Sequence, residues 1–183
     1  MLADAYDLTG PERGTLLDAA MTRRPQNDHV ADRRRVRLQA RSGRDVTAAW
    51  GDLALAGHHL PAGTVLDGEA VIITEDGRIS FEAAQARAAS SPTRAHRLAA
   101  QRPAHYVAFD ALQLPSPNGG IRARSYSERR TALLSLLACL PANTPIQAVS
   151  ATTDRDTALP WYDILHSQGC LRTTALSCKE RGG

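Results

Sequence analysis

Lysine is almost missing from this chain: of its 22 lysines and arginines, Lys179 alone is a lysine. An excess of arginine follows genome composition and carries no functional weight. Its consequence does matter, because chemistry that needs a neutral amine has one candidate side chain here. Arginine cannot substitute, since a pKa above about 12 leaves it no lone pair to attack with. Aromatic residues are scarce at 4%, so the core must be built from Leu, Val, Ile and Ala. The three cysteines, Cys139, Cys170 and Cys178, form no CxxC pair, which excludes a zinc ribbon or a disulfide framework and suits a reducing compartment. His58, His59, His96, His105 and His166 have no metal-ligand spacing. No apolar run approaches the roughly 18 residues of a membrane span, and no charged–apolar–small leader opens the chain. The expected location is therefore the cytoplasm, with no membrane partner. A nucleophile-elbow sequence is also missing, which removes serine hydrolases from consideration.

What remains is a chain of 183 residues with 43% hydrophobic and 22% charged content. That suits one globular domain, or part of a larger one, rather than disorder. A net charge of +3 and a pI near 9.0 permit contact with phosphates or nucleic acid, but only weakly.

Along the chain, Leu16 to Met21 suggests a short helix, broken by the Arg23–Asn27 stretch. Val36, Leu38 and Ala40 alternate with Arg37, Gln39 and Arg41 as on a half-buried strand, which turns at Ser42–Asp45. Asp52 to Leu60 suits a helix with Leu53, Leu55 and Ala56 inward. Thr64 to Thr74 reads as a strand, Asp76-Gly77 as a hairpin turn, and Arg78 to Phe81 as the returning partner. Helices are expected over Phe81–Ala89 and Thr93–Ala100, a strand over His105–Leu114, and a loop over Pro115–Gly120. The clearest helix is Ser127 to Leu140, with serine as its cap and Ala132, Leu133, Leu136, Leu137 and Leu140 on one face. A strand over Pro145–Val149 and a helix over 153–167, kinked by Pro160, complete the series. Hairpins mixed with helices, without a regular βαβ alternation, predict an α+β fold.

Four stretches in order resemble the ATP-dependent DNA ligases of the nucleotidyltransferase superfamily. Arg37-Leu38-Gln39-Ala40-Arg41-Ser42-Gly43-Arg44-Asp45-Val46-Thr47 looks like the end of that family's KxDGxR motif running into an S-R-N-G-x-x-x-T-like turn. Leu66-Asp67-Gly68-Glu69-Ala70-Val71 is similar to its L-D-G-E-L-V strand. Tyr106-Val107-Ala108-Phe109-Asp110-Ala111-Leu112 is similar to its F-D-hydrophobic-L strand. Tyr126 with Glu128-Arg129-Arg130 and the leucine-rich helix resembles its R-P-Y-x-E-R-R-x-L-L segment. The linking text Ser80-Phe81-Glu82-Ala83 matches as well. Each motif is weak alone; four in order with matching spacers are not.

The resemblance implies a partial nucleotidyltransferase domain, the ATP-grasp-like adenylation domain of a DNA ligase, with antiparallel sheets packed against helices and without the OB domain. It covers residues 36–169, leaving divergent segments at 1–35 and 170–183. It further implies ATP and Mg2+ as cofactors and nicked double-stranded DNA as partner. In the family's reaction a lysine amine takes AMP from ATP, AMP passes to the 5′-phosphate of a nick, and the 3′-hydroxyl displaces it. By resemblance, Glu69 would lie near ribose or metal, with Asp67 facing the same side. Phe109 would offer adenine a flat apolar face, and Arg37 and Arg41 would meet phosphate or ribose.

The same comparison exposes a gap. If Arg37 closes KxDGxR, the nucleophilic lysine falls at Asp32, the aspartate at Arg34 and the glycine at Arg35. An aspartate there would repel a triphosphate. After Gly169 the family's E-G-hydrophobic-V-x-K motif should follow, but Leu171 stands where the glutamate belongs, and Lys179 is too far along to match. The expectation is therefore a truncated or decayed copy that does not complete ligation. Three readings follow: a family enzyme dependent on a lysine from elsewhere, a non-catalytic ATP- or DNA-binding remnant, or an inert fragment.

Overall fold

The computed structural model describes residues 18–23, 36–115 and 120–160. It divides into two units, one comprising Leu17–Val149 and the other Met1–Leu16 with Ser150–Gly183. Of the second unit residues 150–160 are described, with 155–160 helical. Asp154 opens that helix, its carboxylate accepting from the Thr157 N–H at 3.1 Å. The rest of the helix expected over 153–167, including any kink at Pro160, lies outside the described residues.

The larger unit is built on a five-stranded sheet in the order β2-β1-β3-β4-β5. Its strands are β1 (Asp18–Arg23), β2 (Val36–Ala40), β3 (Val65–Ile72), β4 (Ala104–Gln113) and β5 (Ile146–Ala148). The first four pair antiparallel, and β5 joins β4 in parallel. The helices are α1 (Gly51–Ala56), α2 (Phe81–Ala88), α3 (Pro92–Gln101) and α4 (Tyr126–Ala138), with a 3₁₀ turn at Gly57–His59. This is the expected α+β class, with one parallel pair added to the antiparallel sheet.

Alternating burial assigns the sheet its two faces. Met21, Val36, Leu38, Leu66, Ala70, Tyr106 and Ala108 share one core with Trp50, Leu53 and Ala56 around α1, Ala84 of α2 and Leu133 of α4. Gly68 lies on that core face because nothing larger fits: an added Cβ would stand 2.4 Å from the Val107 carbonyl oxygen and 2.9 Å from the Tyr106 ring. The Tyr106 hydroxyl crosses to donate to the Leu66 carbonyl at 3.2 Å.

Several local expectations change. Of the stretch read as a short helix at Leu16 to Met21, the described residues 18–21 lie in β1, bonded to β2 on one side and β3 on the other. Alanine and methionine favour helix locally, but two ladders and full burial of Met21 outweigh propensity. Leu55 points outward, 70% exposed, while Leu53 and Ala56 are buried. Neighbours two apart on a helix lie on opposite sides, so all three could not face inward.

Asp76-Gly77 does turn the chain, with Gly77 at φ +78. The return strand is reduced to one bridge, Ile73 to Ile79, because Ser80 leaves to cap α2 and accepts from the Ala83 N–H at 3.2 Å. The helix α4 begins earlier than expected. Its cap is Ser125, not Ser127, because Glu128 completes a capping box with Ser125: the Ser125 N–H donates to the Glu128 carboxylate at 2.9 Å. The apolar face read from Ala132 to Leu140 packs on the core as expected.

Candidate functional site

The face of the sheet opposite the core carries the candidate residues of β3 and β4. Along β3, Val65, Asp67 and Glu69 are half-buried between buried neighbours; along β4 the same alternation puts His105, Val107 and Phe109 on one face. Pairing then sets the neighbours, because residues directly opposite in an antiparallel pair share a face. Glu69 stands opposite Val107, and Val71 opposite His105. The register shifts between Asp67 and Gly68: Asp67 pairs with Asp110 and Gly68 with Ala108, so Phe109 is an extra residue with no partner across the strand. Asp67 and Glu69 thus share one face of β3, and Phe109 lies on the adjacent strand β4.

Arg37 is placed elsewhere. It lies opposite Thr22 on β1, and Thr22 lies opposite Val65 on β3. Two strand spacings and four residues of rise separate it from Glu69, about 17 Å between Cα atoms. A compact anion cannot touch both; a long ligand lying across the sheet could. Arg37 also has a partner in its own turn, its Nε donating to the Asp45 carboxylate at 3.1 Å. Hydrogen bonds from Thr47 first, then the Arg37 guanidinium, hold the Asp45 carboxyl below its ordinary value. Arg41 lies past the end of β2, exposed in the turn whose Gly43 has φ +82, so it does not continue the strand face of Arg37 as expected.

Carboxylate oxygens two residues apart on one strand are the donor type that hard divalent cations take, and Mg2+ characteristically uses one or two of them beside substrate phosphates. Asp67 and Glu69 fit that pattern. Among the described residues no group of three or more His, Cys, Asp or Glu side chains could hold a metal by itself, so the phosphates of a ligand would have to complete any coordination. Asp32, Lys179, Leu171, His166, Cys170 and Cys178 lie outside the described residues.

Sequence reasoning missed two arginines. Arg87 of α2 is fully buried. It donates to the Ala49 carbonyl at 2.9 Å, pairs with Asp52, and lies 4.6 Å over the Trp50 ring. The other Asp52 oxygen accepts from the Ala104 N–H at 2.9 Å, tying α1 and α2 to the start of β4. Arg129 of α4, noted only as part of a motif, grips Asp110 through Nε at 2.9 Å to both carboxylate oxygens and Nη2 at 2.7 Å. An arginine four residues beyond a serine cap and a carboxylate in a strand motif were visible. Their meeting was not.

A sheet with helices packed on one face and paired carboxylates beside a bulged aromatic on the other is the framework of a ligase-type nucleotidyltransferase. The chain belongs to that class: the family described as ATP dependent DNA ligase domain matches residues 23–170. Among relatives, DNA ligase C of Mycobacterium tuberculosis (strain H37Rv) is 35% identical over 137 residues, covering 73% of this chain and 37% of the relative. DNA ligase C2 of Mycolicibacterium smegmatis is 36% identical over 135 residues, with the same coverage of 73% and 37%. A solved mycobacterial DNA ligase D complexed with ATP and MES superposes with a TM-score of 0.57 at 27% identity, covering 83% of this chain and 42% of that one. The chain therefore spans a little over a third of the length of these curated relatives. No described helix is long and apolar enough to cross a membrane.

Proposed function

We propose that this chain is the nucleotide-holding part of an ATP-dependent DNA ligase adenylation domain, one that binds ATP with Mg2+ but does not itself form the lysine–AMP bond. The observation that carries the reading is the shared face of Asp67, Glu69 and Phe109. Phe109 lies against adenine, Glu69 and Asp67 hold ribose hydroxyl or metal, and Arg37 on β2 and Arg41 in the turn after it meet the phosphates. Mg2+, when bound, neutralises phosphate charge. The residues of this chain bind and orient the nucleotide; none before position 179 is a lysine, and the family match ends at 170. Nicked double-stranded DNA is the partner, in DNA repair or recombination, and any sealing of the nick requires a lysine from elsewhere. A non-catalytic ATP- or DNA-binding remnant is the second reading, favoured by the same shortage of lysine.

The test is incubation of the purified chain with α-labelled ATP and magnesium, read on a denaturing gel, beside equilibrium ATP binding. The expected result is reversible binding that weakens in Glu69→Gln and Phe109→Ala, with no covalent label. An acid-labile labelled band that disappears in Lys179→Arg would show that the chain supplies its own nucleophile and overturn the reading. No binding at all would leave an inert fragment.

A further inference from the structure

Phe109 owes its place to an irregularity, and the irregularity has a visible cause. The strand β4 has ten residues and β3 eight. The difference is taken up at two register shifts, one leaving Phe109 unpaired and the other between Val65 and Leu66. Alternation of burial holds from Ala104 to Asp110 and breaks there, with Asp110 and Ala111 buried in succession. A bulge of this kind bends the strand and re-aims a side chain. It needs something to hold it, because the carboxylate it carries inward would otherwise be a buried, unpaired charge.

Arg129 meets that need. Asp110 is 4% exposed, and the guanidinium reaches both its oxygens. The remaining nitrogen, Nη1, donates to the Arg124 carbonyl at 2.7 Å, just before the capped start of α4. The guanidinium fork thus fastens the bulge, the 121–124 segment and the first turn of α4 at one point, a planar geometry that lysine cannot reproduce.

We infer that the Asp110–Arg129 pair is a positioning device: it fixes the bulge that presents Phe109 beside Asp67 and Glu69, and so sets the purine end of the site without touching ligand. This rests on the reading of that face as the nucleotide site. Breaking the pair costs base recognition while phosphate recognition persists.

The experiment compares the full chain with Asp110→Asn and with Arg129→Lys, which keeps the charge should the first variant fail to fold. Two quantities are read: amide hydrogen exchange across 107–112, and the affinity for ATP relative to inorganic tripolyphosphate. Faster exchange confined to that stretch is expected, with ATP weakened about tenfold, the scale of one lost base–aromatic stack, and tripolyphosphate unchanged. Equal loss of both ligands, or an unchanged preference for ATP in a loosened bulge, overturns the inference. If the unaltered chain binds no nucleotide, the nucleotide reading has failed. The exchange data then decide the pin alone: local opening upholds it, and unchanged exchange overturns it.

Discussion

Replacing Gly68 with alanine is the sharpest test of how the Asp67-Gly68-Glu69 stretch is used. A glycine between two carboxylates in a site motif invites the view that it leaves room for ligand. The structure says instead that it leaves room for the protein. A Cβ at position 68 would lie 2.4 Å from the Val107 carbonyl oxygen, 2.9 Å from the Ala108 Cα and 2.9 Å from the Tyr106 ring. Two of the three obstacles are backbone of the neighbouring strand, and the third is a buried ring whose hydroxyl is tied to the Leu66 carbonyl. None is the free end of a flexible side chain. Overpacking typically costs about 1–3 kcal/mol, and a backbone that must separate belongs at the upper end. For a chain of this size about 3 kcal/mol lowers Tm by roughly 6–12 °C. The measurement is thermal unfolding by circular dichroism, with ATP binding measured well below Tm. Gly68→Ala should unfold early, and wherever it remains folded any loss of ATP affinity should be smaller than that of Glu69→Gln or Phe109→Ala. A variant with unchanged Tm and lost binding would refute the argument and move Gly68 to the ligand face.

Further outcomes follow from the buried polar groups and the caps. Arg87→Ala leaves Asp52 without its buried partner and the Ala49 carbonyl without its donor, so denaturant titration should show a loss of about 3–5 kcal/mol; a loss below about 1 kcal/mol would mean the node is dispensable. Ser125→Ala removes the acceptor for the Glu128 N–H, and α4 should lose about 1 kcal/mol, seen as a Tm lower by roughly 2–4 °C. For pH, Asp45 and Glu128 are both held below their ordinary values of 3.8 and 4.5, Asp45 by Thr47 and then Arg37, Glu128 by Ser125. Depressed carboxyls contribute stability that is complete above the ordinary value and is lost as pH falls through the lower, folded one. Tm should therefore hold steady down to pH 4.5 and fall below it, more shallowly in Asp45→Asn; an equal slope in the variant would remove Asp45 from the account.

The sequence was most legible where local pattern and tertiary demand agree. The strands β2, β3 and β4 announced themselves by alternation, and α4 by its apolar face and a serine near its start. β1 did not, because Ala19-Ala20-Met21 has no strand pattern of its own; it is a strand only because β2 and β3 both bond to it. Leu55 misled because the apolar count of α1 exceeds what a six-residue helix can bury. The strands that carry Asp67, Glu69 and Phe109 were readable through motifs, and the period of each strand fixes the face of each residue. The separation of Arg37 from Glu69 was not, because it depends on β1 lying between β2 and β3. Arg87 looked like an ordinary charged helix residue; only the fold shows that it closes a gap among α1, α2 and β4.

The pleat also separates what a family match says about fold from what it says about ligand. Within Leu66-Asp67-Gly68-Glu69-Ala70, the buried residues are Leu66, Gly68 and Ala70, and the half-buried ones between them are the two carboxylates. One short motif therefore contains two independent sets of requirements, interleaved at a spacing of two residues. The first set is imposed by Tyr106, Ala108 and the helices, and it is needed by any chain that folds this way. The second is the set that the proposed nucleotide site would use. A family match reports both together. Substitution separates them: changes at Leu66, Gly68 or Tyr106 should move Tm, whereas Glu69→Gln or Phe109→Ala should leave Tm within a few degrees and act on nucleotide affinity alone. A chain that kept only the first set would have the ligase fold and no ligase ligand. Asp67, Glu69 and Phe109 lie together on the face opposite the buried core, and the proposed nucleotide reading rests on that placement.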